Sequence, residues 1–100
     1  MIRKIKLSKR ASNKLEKLLD YLENEWSLKI KNDFIKKLDK SLSLIQENPD
    51  YFQKSDTVKG LHRCVITKQI TIFYLFDDKY IYIVTLFDNR QDPKRLKKEV

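Results

Sequence analysis

A chain of 100 residues with 41% hydrophobic and 36% charged side chains can cover one core and no more, so two domains are excluded and residues 1–100 are expected to fold as a unit. Twenty-two Lys and Arg against 14 Asp and Glu leave a net charge of +8, which directs the surface toward anions: nucleic acid, an acidic protein or an anionic membrane. One Gly, two Pro and 11% aromatics exclude a low-complexity tether, and the single Cys64 and single His62 exclude an internal disulfide and a zinc cluster.

The basic start Met1-Ile2-Arg3-Lys4-Ile5-Lys6 lacks the apolar block of a secretion signal, and nowhere do about 18 uncharged apolar residues run together. A cytoplasmic protein with no membrane partner is expected. Ile5 and Leu7 alternate with Lys4, Lys6 and Ser8, the period of a half-buried strand over residues 2–8. From Ala11 the steps change to three and four through Leu15, Leu18, Leu19, Leu22 and Trp26, an amphipathic helix that Ser8 can cap, with Trp26 most simply a core residue. A second stripe, Ile30, Phe34, Leu38, Leu42 and Ile45, is displaced by roughly 130° around the helix axis from the first. One straight helix cannot bury both stripes, so the chain must break near Trp26-Ser27, with Ser27 capping the second helix.

Asn48-Pro49-Asp50 ends that helix, because the residue before proline avoids helical geometry and proline cannot continue the ladder. Residues 49–57 are expected to be a loop. Three runs of β-formers come next, Leu61 to Thr67, Gln69 to Phe76 and Tyr80 to Phe87, joined by turns short enough for hairpins. The middle run is apolar at almost every position and belongs at the centre of the sheet with both faces covered. Asp92 and Pro93 stand in N-cap and first-turn order for a short terminal helix carrying Lys94 and Arg95. The fold class is therefore α+β: an N-terminal strand, a two-helix hairpin, then a three-strand antiparallel meander, with the helices on one face. The other face is expected to expose Tyr74, Tyr80, Tyr82 and Phe87, bordered by Arg63, Lys68 and Arg90. A one-residue slip or bulge would invert those faces.

No Gly-rich phosphate loop, paired carboxylates, Cys-His nucleophile or metal-ligand set is present in the sequence, so no cofactor and no metal are expected. The candidate catalytic groups are His62, whose ordinary pKa lies near neutrality, with Arg63 and Arg90 as phosphate-binding cations. His62 reads equally as a packed strand residue, and the arginines as surface charges. If the strand ends meet, Arg63 and Arg90 make one anion site. The cations Arg90, Lys94 and Arg95 can track a nucleic-acid backbone or an acidic surface, or simply solvate a helix end. Cys64 reads as core filler.

The segments Lys59-Gly60-Leu61-His62-Arg63-Cys64-Val65-Ile66, Ile70-Thr71-Ile72-Phe73-Tyr74 and Val84-Thr85-Leu86-Phe87-Asp88-Asn89-Arg90-Gln91-Asp92-Pro93 resemble the RelE/ParE family of bacterial toxins, the run from Asp88 to Pro93 most specifically. The resemblance implies the toxin of a type II toxin–antitoxin module, held inactive by a cognate antitoxin. Family members are either ribosome-dependent mRNA endonucleases or non-enzymatic poisons of DNA gyrase. Arg63 matches a basic sheet residue of the nuclease branch and Arg90 its C-terminal arginine. Val65, Thr71 and Leu96 stand where a second basic residue, the hairpin arginine and the late tyrosine would be. Losing a transition-state cation or proton donor costs orders of magnitude in rate. The ParE-like, non-nucleolytic reading is therefore preferred, with Arg63, Arg90, Lys94 and Arg95 as target- or antitoxin-binding residues and gyrase as target. The alternatives are a RelE-like endonuclease acting on ribosome-bound mRNA and a non-toxic basic nucleic-acid-binding module. The antitoxin is expected to supply an acidic, partly apolar segment.

Overall fold

A computed structural model describes residues 2–56 and 58–90 together with Leu96. The elements are β1 (Lys4–Leu7), α1 (Lys9–Glu25), α2 (Leu28–Glu47), a 3-10 turn at Pro49–Tyr51, β2 (His62–Val65), β3 (Ile70–Phe76) and β4 (Tyr80–Asp88). The expected terminal helix, with Lys94 and Arg95, falls outside the described residues.

Ser8 makes the first junction. Its Oγ accepts from the Ala11 amide at 2.9 Å, closing the open end of α1, and donates to the Val84 carbonyl at 2.6 Å, tying that end to the sheet. Ser27 makes the second, its Oγ accepting from the Ile30 amide at 3.1 Å. The two helices are thus separate rods whose apolar stripes both turn to the sheet. The Lys31 ammonium, 3.5 Å from the Glu23 carboxylate, and the Gln46 amide, donating to the Arg3 carbonyl at 2.7 Å, link α2 to α1 and to the N-terminal strand.

The sheet order is β1-β4-β3-β2, with β3 and β4 both central. The meander is antiparallel as expected, but β1 runs parallel to β4, so the sheet is mixed rather than wholly antiparallel. A parallel neighbour needs a long crossover, and the helical hairpin supplies it. Within the expected loop, residues 49–56 also carry regular structure: beyond the 3-10 turn, Lys54 bridges His62 and the Arg63 amide donates to the Gln53 carbonyl at 2.9 Å, covering the β2 edge.

Phe73 pairs with Thr85, yet Tyr74 pairs with Ile83, so Val84 is the extra residue of a β-bulge. Before the bulge, Ile81 and Ile83 face the helices; after it, Leu86 does, while Thr85 and Phe87 turn away. The main core lies between helices and sheet, from Ala11, Phe34, Leu38 and Ile45 to Cys64, Ile72, Tyr74, Ile81, Ile83 and Leu86. Each Leu, Ile or Phe side chain among them contributes roughly 1.5–3 kcal/mol on burial. Cys64 is core filler, and burial pushes its thiol up. A second, smaller cluster of Leu61, Phe73, Phe87 and Leu96 closes the middle of the helix-free face.

Two of the aromatics expected on the helix-free face are not exposed there. Tyr74 is not on the helix-free face: it is fully buried beneath the helices, its hydroxyl donating to the Pro49 carbonyl at 2.7 Å. Phe87 does lie on the helix-free face but is buried in the small cluster.

Candidate functional site

A groove of about 810 Å³ is bounded by α1, α2 and the β2–β3 turn. Leu18, Leu22, Phe34 and Ile70 line it with aliphatic and aromatic carbon, and Tyr21, Trp26 and Ile30 stand at its helical end. Trp26 is 67% exposed and Tyr21 51%, so Trp26 is a groove residue and not the core residue that its place in the stripe suggests. The reason is geometric: Trp26 succeeds the last turn of α1, where the amides of Trp26 and Ser27 both donate to the Leu22 carbonyl and the chain swings away from the sheet.

Charge on the rim is uneven. Asp33 is neutralised by Lys29 at 3.0 Å, and Asp88 by Arg90, whose Nη2 lies 2.6 Å from Oδ2 and whose Nε lies 3.0 Å from Oδ1. The Arg90 guanidinium holds the Asp88 carboxyl below its ordinary range, and the Lys29 ammonium does the same for Asp33. Lys17, Lys37 and Lys68 have no carboxylate partner among the described residues. The groove is therefore apolar within, aromatic at one end and cationic at the edge. Such a lining selects an apolar ligand that carries negative charge.

Arg63 and Arg90 are not brought together, and the composite anion site expected from them does not form. Arg63 lies on the helix-free side of β2, opposite Phe73, with its Nη2 donating to the Gln53 side chain at 3.1 Å. Arg90 lies just past the Ile70–Asp88 pair at the far end of β4 and lines the groove on the helix side. The Val84 bulge is the cause: unbroken alternation from Tyr80 and Tyr82 would have placed Asp88 and Arg90 on Arg63's face. Asn89 fixes this end, accepting from the Thr71 hydroxyl at 2.8 Å and donating to the Lys68 carbonyl at 3.2 Å.

His62, next to Arg63 in sequence, points the other way. It is buried, stacked on Tyr74 with ring centroids 5.4 Å apart and tilted against Phe76 at 5.3 Å, and its Nδ1 donates to the Phe52 carbonyl at 2.9 Å. Lys68 sits in the β2–β3 turn on the groove. Lys94 and Arg95 lie outside the described residues. The groove residues Lys17, Tyr21 and Lys37 were missed by sequence reasoning; the available signal was the angular offset of the two stripes, since diverging apolar faces must leave a cleft where they part.

No three acidic, histidine or cysteine side chains among the described residues are grouped to hold a metal ion, and no described helix is long and apolar enough to cross a membrane. Residues 5–93 match the family model for the ParE toxin of the type II toxin–antitoxin system, parDE. The chain belongs to that family. No curated protein matches it. Among solved structures, the ParE family fold recurs in the chromosomal ParDE system of Pseudomonas aeruginosa, with a TM-score of 0.71 at 11% identity over 87% of this chain and 96% of that one. The YoeB dimer of Staphylococcus aureus gives 0.63 at 19% identity, covering 87% and 97%. The E. coli DinJ–YafQ complex gives 0.57 at 18% identity, covering 88% and 94%. At these identities the likeness is one of fold.

Proposed function

We propose that this ParE-family chain is a growth inhibitor that does not cut nucleic acid, that DNA gyrase is its target, and that a cognate antitoxin silences it by laying an apolar, acidic segment into the groove. The observation that carries the antitoxin part is the lining: the large apolar side chains Tyr21, Trp26 and Ile30 are exposed there beside the cations Lys17, Lys37 and Lys68. Arg90, on the same rim, binds the same segment. The DinJ–YafQ structures are toxin–antitoxin complexes on this fold, which supports a protein partner. Arg63 is assigned to the target.

The non-nucleolytic part is supported by the surroundings of Arg63. Among the described residues, its strand neighbours on the helix-free face are Val65, Thr71, Phe73 and Thr85, none of which transfers a proton near neutral pH, and His62 is packed on the opposite side. In cells expressing the chain, growth should stop with loss of gyrase supercoiling and with mapped mRNA ends unchanged. Cuts in ribosome-bound mRNA would overturn this reading. Trp26→Ala should weaken antitoxin binding at least tenfold, as loss of a large aromatic anchor does, while leaving stability within about 0.5 kcal/mol. Unchanged affinity by calorimetry would move the antitoxin elsewhere.

A further inference from the structure

Lys4 and Lys6 of β1 stand opposite Tyr80 and Tyr82 of β4 in the parallel register, on the face that carries no helices. The two phenol rings are 5.8 Å apart, and the Lys6 ammonium rests 4.0 Å from the Tyr80 ring centroid. Tyr82 pairs in turn with Leu75, which is 39% exposed. Among the strand positions on this face, the charged residues are Lys4, Lys6 and Arg63; the one acidic strand residue, Asp88, is on the groove side. Asp77 and Asp78, in the β3–β4 turn, are the nearest carboxylates in sequence. Asp77 is engaged there, accepting from the amides of Lys79 and Tyr80 at 2.8 Å each and from the Tyr82 hydroxyl at 3.1 Å.

The geometry points to a binding strip for single-stranded nucleic acid along Lys4, Lys6, Tyr80, Tyr82 and Leu75. Phosphates meet the β1 lysines, and unstacked bases lie on the tyrosine rings and the Leu75 side chain. Lys6 already covers one ring face with its cation, and moving that ammonium to a phosphate uncovers the face for a base. An acidic peptide would satisfy the lysines but leave the rings without flat partners, and a duplex keeps its base faces stacked. The strip lies on the opposite side of the sheet from the groove, so it stands or falls independently of the antitoxin reading.

The test is fluorescence anisotropy of the full chain with labelled 12-nucleotide dT and U oligomers over a salt series, folding of each variant being checked by thermal melting. Binding of either oligomer is expected, with dT against U telling DNA from RNA preference. Tyr82→Ser should weaken it at least fivefold at fixed salt, while Tyr82→Phe, which keeps the ring, stays within twofold. The double change Lys4→Gln, Lys6→Gln should lower the log–log salt slope by about 1.4, two single-strand phosphate contacts at about 0.7 each, whereas Lys36→Gln, Lys40→Gln on exposed α2 should not. Absence of binding at low salt overturns the proposal. So do equal losses from the two lysine pairs, an unchanged affinity in folded Tyr82→Ser, or displacement of the oligomer by poly-glutamate at equal charge.

Discussion

On the helix-covered face of the sheet, Ile72, Tyr74, Ile81, Ile83 and Leu86 are packed beneath two rods that also contribute Phe34, Leu38 and Ile45. On the reverse face, the buried apolar side chains among the described residues are Leu61, Phe73 and Phe87, packed with Leu96 and the partly buried Val58 and Val84. The same strands feed both faces, alternate residue by alternate residue, so the contrast comes from the layer above each. Covered by helices, a face becomes core. Covered among the described residues by Leu96 and Val58, the reverse face keeps the cations Lys4 and Lys6 and the partly exposed Tyr80 and Tyr82 at its β1 margin.

The contrast is broken most directly by opening one cavity on each side. Ile72→Ala is expected to cost about 3–5 kcal/mol, because the residue is enclosed by the helical layer and the hole cannot collapse. Leu96→Ala should cost about 2 kcal/mol, the low end for such truncations, because the smaller cluster has fewer neighbours to hold a void open. Urea midpoints for both variants measure the difference. Equal losses would mean that the helix-free cluster is as much a core as the helical one.

A polar attachment within the covered face gives the next effect. The Tyr74 hydroxyl reaches the Pro49 carbonyl inside the main core, and burial pushes its pKa up, so it remains a donor throughout the accessible pH range. Tyr74→Phe keeps the ring and its stacking on His62 but leaves the carbonyl without this donor, a loss of about 1–2 kcal/mol by denaturant unfolding. A neutral outcome would show that the 3-10 turn holds its position without this bond.

Element order and the two helix starts were legible because they depend on local chemistry: Ser8 and Ser27 cap where the apolar spacing says helices begin, and Asn48-Pro49 stops the second. Which helix-free residues would be visible was not legible. That depends on one unpaired residue, Val84, which no glycine or proline announces and which reverses the facing of every later strand position. Reading β4 as plain alternation sends Arg90 toward Arg63; the bulge sends it to the groove. Trp26 failed for a related reason, since its spacing continues the α1 stripe one turn beyond the point where the helix still touches the sheet. Periodicity reports which side of an element is apolar, not how far its neighbour extends.

The smallest expected effect tests the end of β4 that the bulge redirects. Asp88 grips Arg90 through two carboxylate oxygens and also accepts from the Arg90 amide at 2.9 Å, and its carboxyl is held below the usual range chiefly by that guanidinium. A depressed carboxylate stabilises the fold fully above its unfolded pKa of about 3.9 and loses that contribution as pH falls through the lower folded value. Asp33 and Asp77 shift in the same direction, so the parent chain alone cannot isolate Asp88. The stability difference between the parent and Asp88→Asn can. It should be constant from about pH 7 to 5 and shrink below about pH 4, once the parent's own carboxyl takes up its proton. A difference that persists undiminished at about pH 2.5, below the ordinary carboxylate range, would mean that the charge on Asp88 does not hold Arg90, and that the arginine keeps its place on the groove by other contacts.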